Sequence, residues 1–274
     1  SAPGFRKERR PGRAVMMDMR GRLGLLRSRL IYLGPPFNRR RLRRFYGRFV
    51  RAGALCFDIG AHLGSRSRAF LDLGARVVAL EPQPRCAAYL RRRWSGEERF
   101  VLIANAVGAQ PGRAALRINR MNPTISTLAE DAWRAAMAAA AGRRERWDPP
   151  IEVEMTTLDQ LIAEYGAPDF CKIDVEGFEE QALAGLSRAI PSLSFEFISF
   201  EKTRALACLR RLTALGAYRF NWSFRERHRL ESPRWVEAPG VEQMLRRLGG
   251  RIVSGDIYAC LECVRPVAPE GSTR

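Results

Sequence analysis

Lysine is nearly missing from this chain. Of 47 basic residues only Lys7, Lys172 and Lys202 are lysines, so the positive charge is almost wholly arginine. Histidine is scarcer still, with His62 and His228 alone. The six cysteines, Cys56, Cys86, Cys171, Cys208, Cys260 and Cys263, include one C-x-x-C but no second pair and no neighbouring histidine pair. That leaves no zinc set, and no metal site is expected. Cys56 and Cys171 stand inside apolar strand-like runs, where cysteine acts as a small hydrophobe. All six are expected as reduced thiols in a cytoplasmic protein. Long apolar runs are also missing: none approaches the roughly 20 residues of a membrane span. The opening Ser1-Ala2-Pro3 lacks the apolar core of a signal peptide. No segment repeats internally.

What is present is a chain of 274 residues, 46% hydrophobic and 28% charged, enough for one large α/β domain with or without appendages. The formal net charge is +18. Such a charge points to an anionic partner, such as nucleic acid, an acidic membrane surface or an acidic substrate. An arginine skew also follows from genome base composition, so both readings stay open. Residues 1–50 form a basic stretch, with "RKERRPGR" and "NRRRLRRFYGRF" flanking "MRGRLGLLRSRLIYL". This reads as a helical extension that packs on the domain and turns an arginine face to solvent. The sharper alternative is a basic amphipathic helix that touches a membrane or an anionic polymer. Gly21, Gly24 and the Gly34-Pro35-Pro36 break limit its length.

From Ala54 the texture alternates between strand and helix, which argues for a doubly wound, mostly parallel sheet. "ALCFDI", "RVVALE", "FVLIANAV", "IEVEMTTL", "DFCKIDVEG", "SLSFEFIS", "AYRFNW" and "DIYACLE" read as strands, and "RAALRI" as a hairpin partner after the turn "GAQPG". "RSRAFLDLG", "PRCAAYLRRRW", "TLAEDAWRAAMAAAAGRRERW", "DQLIAEYG" and "FEEQALAGLSRAI" read as helices. The expected organisation is an extension over 1–50, a domain over 51–265 and a flexible tail over 266–274. Residues 120–150 are expected to form a lid or acceptor insertion.

In open α/β sheets ligands bind beyond the C-terminal ends of the strands, where the strand order reverses. The first strand–turn–helix, "CFDIGAHLGSRS", is therefore the first place to look. Asp58 puts a carboxylate at the strand end, Gly60 permits close approach, and Gly64 lets the chain turn tightly into the helix. Glu81 ends the next strand, 23 positions later, where a carboxylate holds a ribose diol in such folds. The G-x-x-x-G spacing is not the G-x-G-x-x-G of dinucleotide folds, and a pyrophosphate disfavours a nearby carboxylate. Asp58, Glu81, Asp174 and Glu176 would form an acidic pocket in a basic protein, which suits the cationic S-adenosylmethionine better than NAD.

The stretches "FDIGAHLGSRS", "VVALEPQP", "NAVG", "TTLDQLI" and above all "DFCKIDVEGFEEQALAG" resemble the FkbM family of S-adenosylmethionine-dependent methyltransferases. The resemblance covers residues 54–200 well and 201–262 loosely. It implies the class I methyltransferase fold, a Rossmann-like seven-stranded sheet whose last strand runs antiparallel. It implies methyl transfer, commonly to hydroxyl oxygens of sugars, polyketides or other natural products. Carried over by position, Asp58, Gly60, Ala61 and Gly64 would hold the methionine end of the cofactor and Glu81 its ribose. Asn105 and Ala106, ending the third strand, would flank the adenine. Asp174 would face the methyl group and the acceptor.

An alcohol acceptor benefits from a general base as its oxygen attacks. Asp174 is the first candidate and His62 the second. Alternative roles are to hold Lys172 or the cofactor's amino group, for Asp174, and to cap the following helix, for His62. Ser126, Glu176 and Glu196 are placed on the acceptor side, with Trp133 offering an aromatic face. The expected acceptor is a small molecule, sugar or glycan, and the basic N-terminus is a candidate contact for an anionic surface or membrane. An RNA methyltransferase and a non-catalytic protein that keeps the fold are the alternatives.

Overall fold

Leu55–Ile59 (β1) is buried at every position. Strands covered by helices on both faces read as continuous apolar runs, and "LCFDI" does so until Asp58. The computed structural model describes residues 36–140, 145–249 and 252–261. The strands Arg76–Leu80 (β2), Phe100–Ile103 (β3), Phe170–Ile173 (β7), Ser192–Ile198 (β8), Tyr218–Phe224 (β9) and Ser254–Leu261 (β10) join β1 in one sheet. Its order is β3-β2-β1-β7-β8-β10-β9. β3, β2, β1, β7 and β8 run parallel, and β10 is inserted antiparallel between β8 and β9. The strand order reverses between β1 and β7, which makes their C-terminal ends the binding crevice.

One expectation fails here. "FVLIANAV" is not one strand: β3 ends at Ile103, and Ala106–Val107 (β4) belongs to a second sheet of order β4-β6-β5. In that sheet Gly112–Leu116 (β5) pairs antiparallel with Ile151–Thr156 (β6), so "RAALRI" is a hairpin partner of "IEVEMT". Asn105 therefore lies in the link between the two sheets rather than at a strand end.

Helices cover both faces. On one, Leu158–Tyr165 (α5), Glu179–Ala184 (α6), Lys202–Leu215 (α7) and Ala238–Arg247 (α8) pack on Phe57, Ile59, Ile173, Leu193, Phe195 and Ile257. α5 starts with a capping box, in which Thr157 and Gln160 satisfy each other's end of the helix. On the other face Pro36–Tyr46 (α1) and Ser65–Asp72 (α2) cover Cys56, Phe170 and Tyr258. α1 carries Leu42, Phe45 and Tyr46 into this core, with Phe45 and Tyr46 each set edge-on to an aromatic neighbour, Tyr258 at 5.2 Å and Phe70 at 5.0 Å. The described part of the basic extension is thus packed on the sheet with arginines outward. The segment "MRGRLGLLRSRLIYL" and the tail over 266–274 lie outside the described residues. Pro84–Arg93 (α3) and Asp131–Ala140 (α4) complete the helices; α4 is shorter than the helix read over 127–147. Among the described residues no helix is long and apolar enough to cross a membrane.

Candidate active site

A cavity opens at the C-terminal ends of β1, β2 and β7, enclosing about 960 Å³ of empty space out to its mouth. Asp58, Gly60, Ala61, His62, Glu81, Asn105, Ala106, Ser126, Asp174, Glu176 and Glu196 all line it.

The loop after β1 is built by positive backbone angles. Gly60 has φ +81°, and a Cβ there would lie 1.8 Å from the carbonyl oxygen of Asp174. The glycine thus lets the ends of β1 and β7 touch, which brings Asp58 and Asp174 to one wall. Gly64 does not line the cavity: a Cβ there would lie 2.3 Å from the Trp94 ring, so it serves close packing of the loop on α3. The loop's amides are engaged internally. Gly60 and Ala61 both donate to the Leu80 carbonyl at 2.9 Å, and Gly64 donates to Ala61 at 2.7 Å. The His62 N–H donates to Glu81 Oε2 at 2.6 Å. A loop whose N–H groups are taken is not a phosphate cradle of the P-loop kind.

Acids are what this wall offers instead. Asp58 is 2% exposed and accepts from Ser67 Oγ at 2.5 Å. Burial pushes its carboxyl up, against the Ser67 bond and the nearby Arg66 and Lys172. Glu81 accepts the His62 N–H on one oxygen and the Gln83 N–H on the other at 2.8 Å. Each oxygen keeps a second lone pair for a ligand hydroxyl. Burial pushes Glu81 up to about 7, opposed by those two backbone bonds.

Asp174 follows β7, two residues after Lys172 and so on the same sheet face. Lys172 is 1% exposed; its Nζ lies 3.1 Å from Asp174 Oδ2 and 2.8 Å from Asp256 Oδ1. Burial alone would lower the Lys172 ammonium, but Asp174 and Asp256 hold it above its ordinary value and charged. Carboxylate oxygens of Asp174, Glu176 and Glu196 come within 4.8 Å of one another. Burial and mutual repulsion push Glu176 and Glu196 well up. Burial pushes His62 down to about 4, so its imidazole is neutral at neutral pH and adds no positive charge to the cavity.

Among the lining residues that were not foreseen, two form an ion pair. Arg66 of α2 donates from Nη2 to both oxygens of Glu226 at 2.8 Å. Glu226 sits in a turn after β9 flanked by positive φ at Arg225 and His228, and Arg66 holds its carboxyl below the usual range against the effect of burial. No motif marks this pair, whose members are 160 positions apart. Trp133 corrects another expectation. It does not line this cavity but is 1% exposed, in a small core with Ile125, Ala129 and Ile198. The segment it anchors is tied to the site by Thr127 Oγ1, which donates to the Glu176 carbonyl at 2.6 Å, and by Gln83 Nε2, which donates to the Pro123 carbonyl at 3.1 Å. Ser126, 8% exposed, faces the cavity from this segment and accepts the Asn119 N–H at 3.1 Å.

The strand order, the antiparallel β10 and the acids ending β1 and β2 define a class I methyltransferase fold. The chain belongs to the FkbM methyltransferase family: the family model described as "Methyltransferase FkbM domain" matches residues 58–251. The methyl donor of that family is S-adenosylmethionine. The acids at Asp58 and Glu81 and the engaged loop amides fit this cationic nucleoside. Among solved structures, the chain is similar to a precorrin-6y C5,15-methyltransferase from Geobacter metallireducens, at 13% identity over 81% of this chain and 87% of that one, with a TM-score of 0.43. It is similar to an O-methyltransferase from Bacillus cereus in complex with SAH, at 14% identity over 90% and 93%, with a TM-score of 0.41. An rRNA methylase from Streptococcus thermophilus matches at 12% identity over 80% and 94%, with a TM-score of 0.38. No curated protein sequence matches the chain.

Proposed function

We propose that the protein transfers a methyl group from S-adenosylmethionine to a hydroxyl oxygen of a sugar, glycan or natural-product small molecule. The observation that carries this reading is the acidic end of the cavity, where Asp174, Glu176 and Glu196 converge. Carboxyl groups accept hydrogen bonds from hydroxyls, so this wall suits a polyhydroxylated acceptor.

When bound, S-adenosylmethionine supplies a methyl group on a sulfonium, an already activated leaving group. The Asp58–Ala61 turn holds the methionine end, Glu81 accepts from the ribose hydroxyls, and Asn105 and Ala106 flank the base. Asp174 takes the proton of the acceptor hydroxyl as its oxygen attacks, while Lys172, fixed by Asp256, orients the Asp174 carboxylate. Glu176, Glu196 and Ser126 position the acceptor, and much of the rate comes from that alignment. Neutral His62 lines the wall as the second candidate for the proton.

The net charge of +18 favours a second reading, methylation of RNA. The hydrogen-bond acceptors gathered at the acceptor end favour the first. The test is to incubate the protein with S-adenosylmethionine and panels of glycosides, hydroxylated small molecules and RNA, and to follow S-adenosylhomocysteine release. Turnover with a hydroxyl acceptor, with the methyl found on oxygen, is the expected result. Turnover with RNA alone, or binding of S-adenosylmethionine without turnover on any panel, would overturn it in favour of an RNA enzyme or a non-catalytic protein.

A further inference from the structure

Away from the active site, three segments converge on a second recess. α1 contributes Arg39, α2 contributes Arg68 and Asp72, the end of α3 contributes Arg93, and the turn from α3 to β3 contributes Trp94, Glu97 and Arg99. The recess shares no lining residue with the methyl-transfer cavity.

Its charges do not balance. Asp72 accepts from Nε and Nη2 of Arg39, both at 2.6 Å. Glu97 accepts from Nε and Nη2 of Arg99, both at 2.9 Å. Both carboxylates are thereby committed to one guanidinium each. Four guanidinium groups against two carboxylates leave an excess of two positive charges, and Arg68 and Arg93 are the ones not in an ion pair among the described residues. Arg68 is held below its ordinary value by burial and then by the like charges of Arg39 and Arg93, which outweigh the attraction of Asp72. Crowding three cations around a part-buried position is unfavourable until an anion enters.

We propose that this recess binds a phosphomonoester dianion, with Arg68 and Arg93 as its two uncommitted guanidinium forks. The excess of two charges matches a dianion rather than a single carboxylate. Planar guanidinium groups donate in pairs to the oxygens of a phosphate, which arginine does better than lysine. A nucleic acid strand is the poorer fit. Base binding by a basic groove relies on exposed aromatic faces, and the Trp94 ring is engaged by Phe100 at 4.5 Å and by Arg93 at 5.5 Å. The phosphomonoester can come from a soluble phosphorylated molecule or from a lipid headgroup.

The experiment uses the full chain at low salt, in two arms. Calorimetry with glycerol 3-phosphate probes the soluble source, and flotation with phosphatidylcholine vesicles, with and without phosphatidic acid, probes the lipid source. We expect binding in at least one arm. The R68Q/R93Q variant should weaken it at least about tenfold, through loss of charge-assisted hydrogen bonds. The R210Q/R247Q variant, which loses the same charge from exposed positions on α7 and α8, should bind as the wild type does. The arm that responds identifies the source. R68Q/R93Q should melt no lower than the wild type, because it relieves like-charge crowding; if it melts lower, R93Q alone, at an exposed helix end, serves as the variant and should weaken binding several-fold. No binding in either arm, or equal loss in the control variant, would overturn the proposal. So would a response to single-stranded RNA that R68Q/R93Q abolishes while both phosphate probes fail.

Discussion

Glu81, on the cavity wall, makes the folded chain sensitive to pH. Burial raises its carboxyl to about 7, and Glu179, which accepts the Val175 and Gly177 amides, is raised to the same value by the same cause. Between the unfolded carboxyl value and about 7 the folded chain therefore holds protons that the unfolded chain has released. The folded state binds more protons in that window, so stability falls as pH rises through it. We expect the melting temperature of the cofactor-free protein to fall between pH 5 and pH 8, and Glu81→Gln to flatten that slope; a wild-type profile that rises over this window would contradict the assignment. Binding that uses the Glu81 carboxylate runs the other way. S-adenosylmethionine affinity should weaken by up to about tenfold per pH unit below 7, and calorimetry across pH would read it. Asp174 makes a different kind of claim. Asn at this position keeps an oxygen that can accept from Lys172 but cannot take a proton. We expect Asp174→Asn to lower kcat by about 10²–10⁴-fold while S-adenosylmethionine affinity falls far less. A kcat within threefold of wild type would remove Asp174 as the base.

At the level of elements, the strand-end acids were legible because sheet strands and their turns are local patterns. "CFDIG" and "VVALE" each carry an apolar run and the acid that ends it, and β1, β2 and β7 place those acids on one rim. The split of "FVLIANAV" was not legible. No glycine or proline marks Ala104-Asn105, and β4 has only two residues, too few for a periodic signal. The Arg66–Glu226 pair and the burial of Trp133 depend on contacts far apart in sequence, which local pattern cannot show. Residues 120–150 read as a lid or acceptor insertion, and the attachment of this segment can be tested. Thr127 Oγ1 both donates to the Glu176 carbonyl and accepts the Ala129 N–H at 2.8 Å. Thr127→Val keeps the shape and removes both bonds, at a cost of about 1–3 kcal/mol. If the segment shapes the acceptor pocket, acceptor KM rises several-fold while S-adenosylmethionine affinity is unchanged. Equal loss of both would mean that Thr127 serves general stability instead.

Across the whole molecule, charge is sorted by place. Among the described residues Arg40, Arg41, Arg43 and Arg44 are exposed along α1, while Asp58, Glu81, Asp174, Glu176 and Glu196 line the cavity. This sorting lets one chain present a cationic surface and still accept a cationic cofactor. It also gives α1 two faces with separate consequences. The outer face supplies charge. The inner face supplies Leu42, Phe45 and Tyr46, and Val50 follows just beyond, all at most 3% exposed. Removing one large core side chain typically costs about 2–5 kcal/mol, so removing these together rivals the roughly 5–15 kcal/mol that hold a domain folded. We propose on these grounds that α1 is part of the folding unit. We expect a chain beginning at residue 36 to unfold cooperatively and bind S-adenosylmethionine as the full chain does. A chain beginning at residue 51 should lose the cooperative thermal transition, because Phe70, Phe170 and Tyr258 then lose the aromatic cover that α1 places on them. Circular dichroism melts of the two truncations distinguish the cases, and a cooperative melt of the shorter chain near the full-length temperature would show that α1 is an accessory after all.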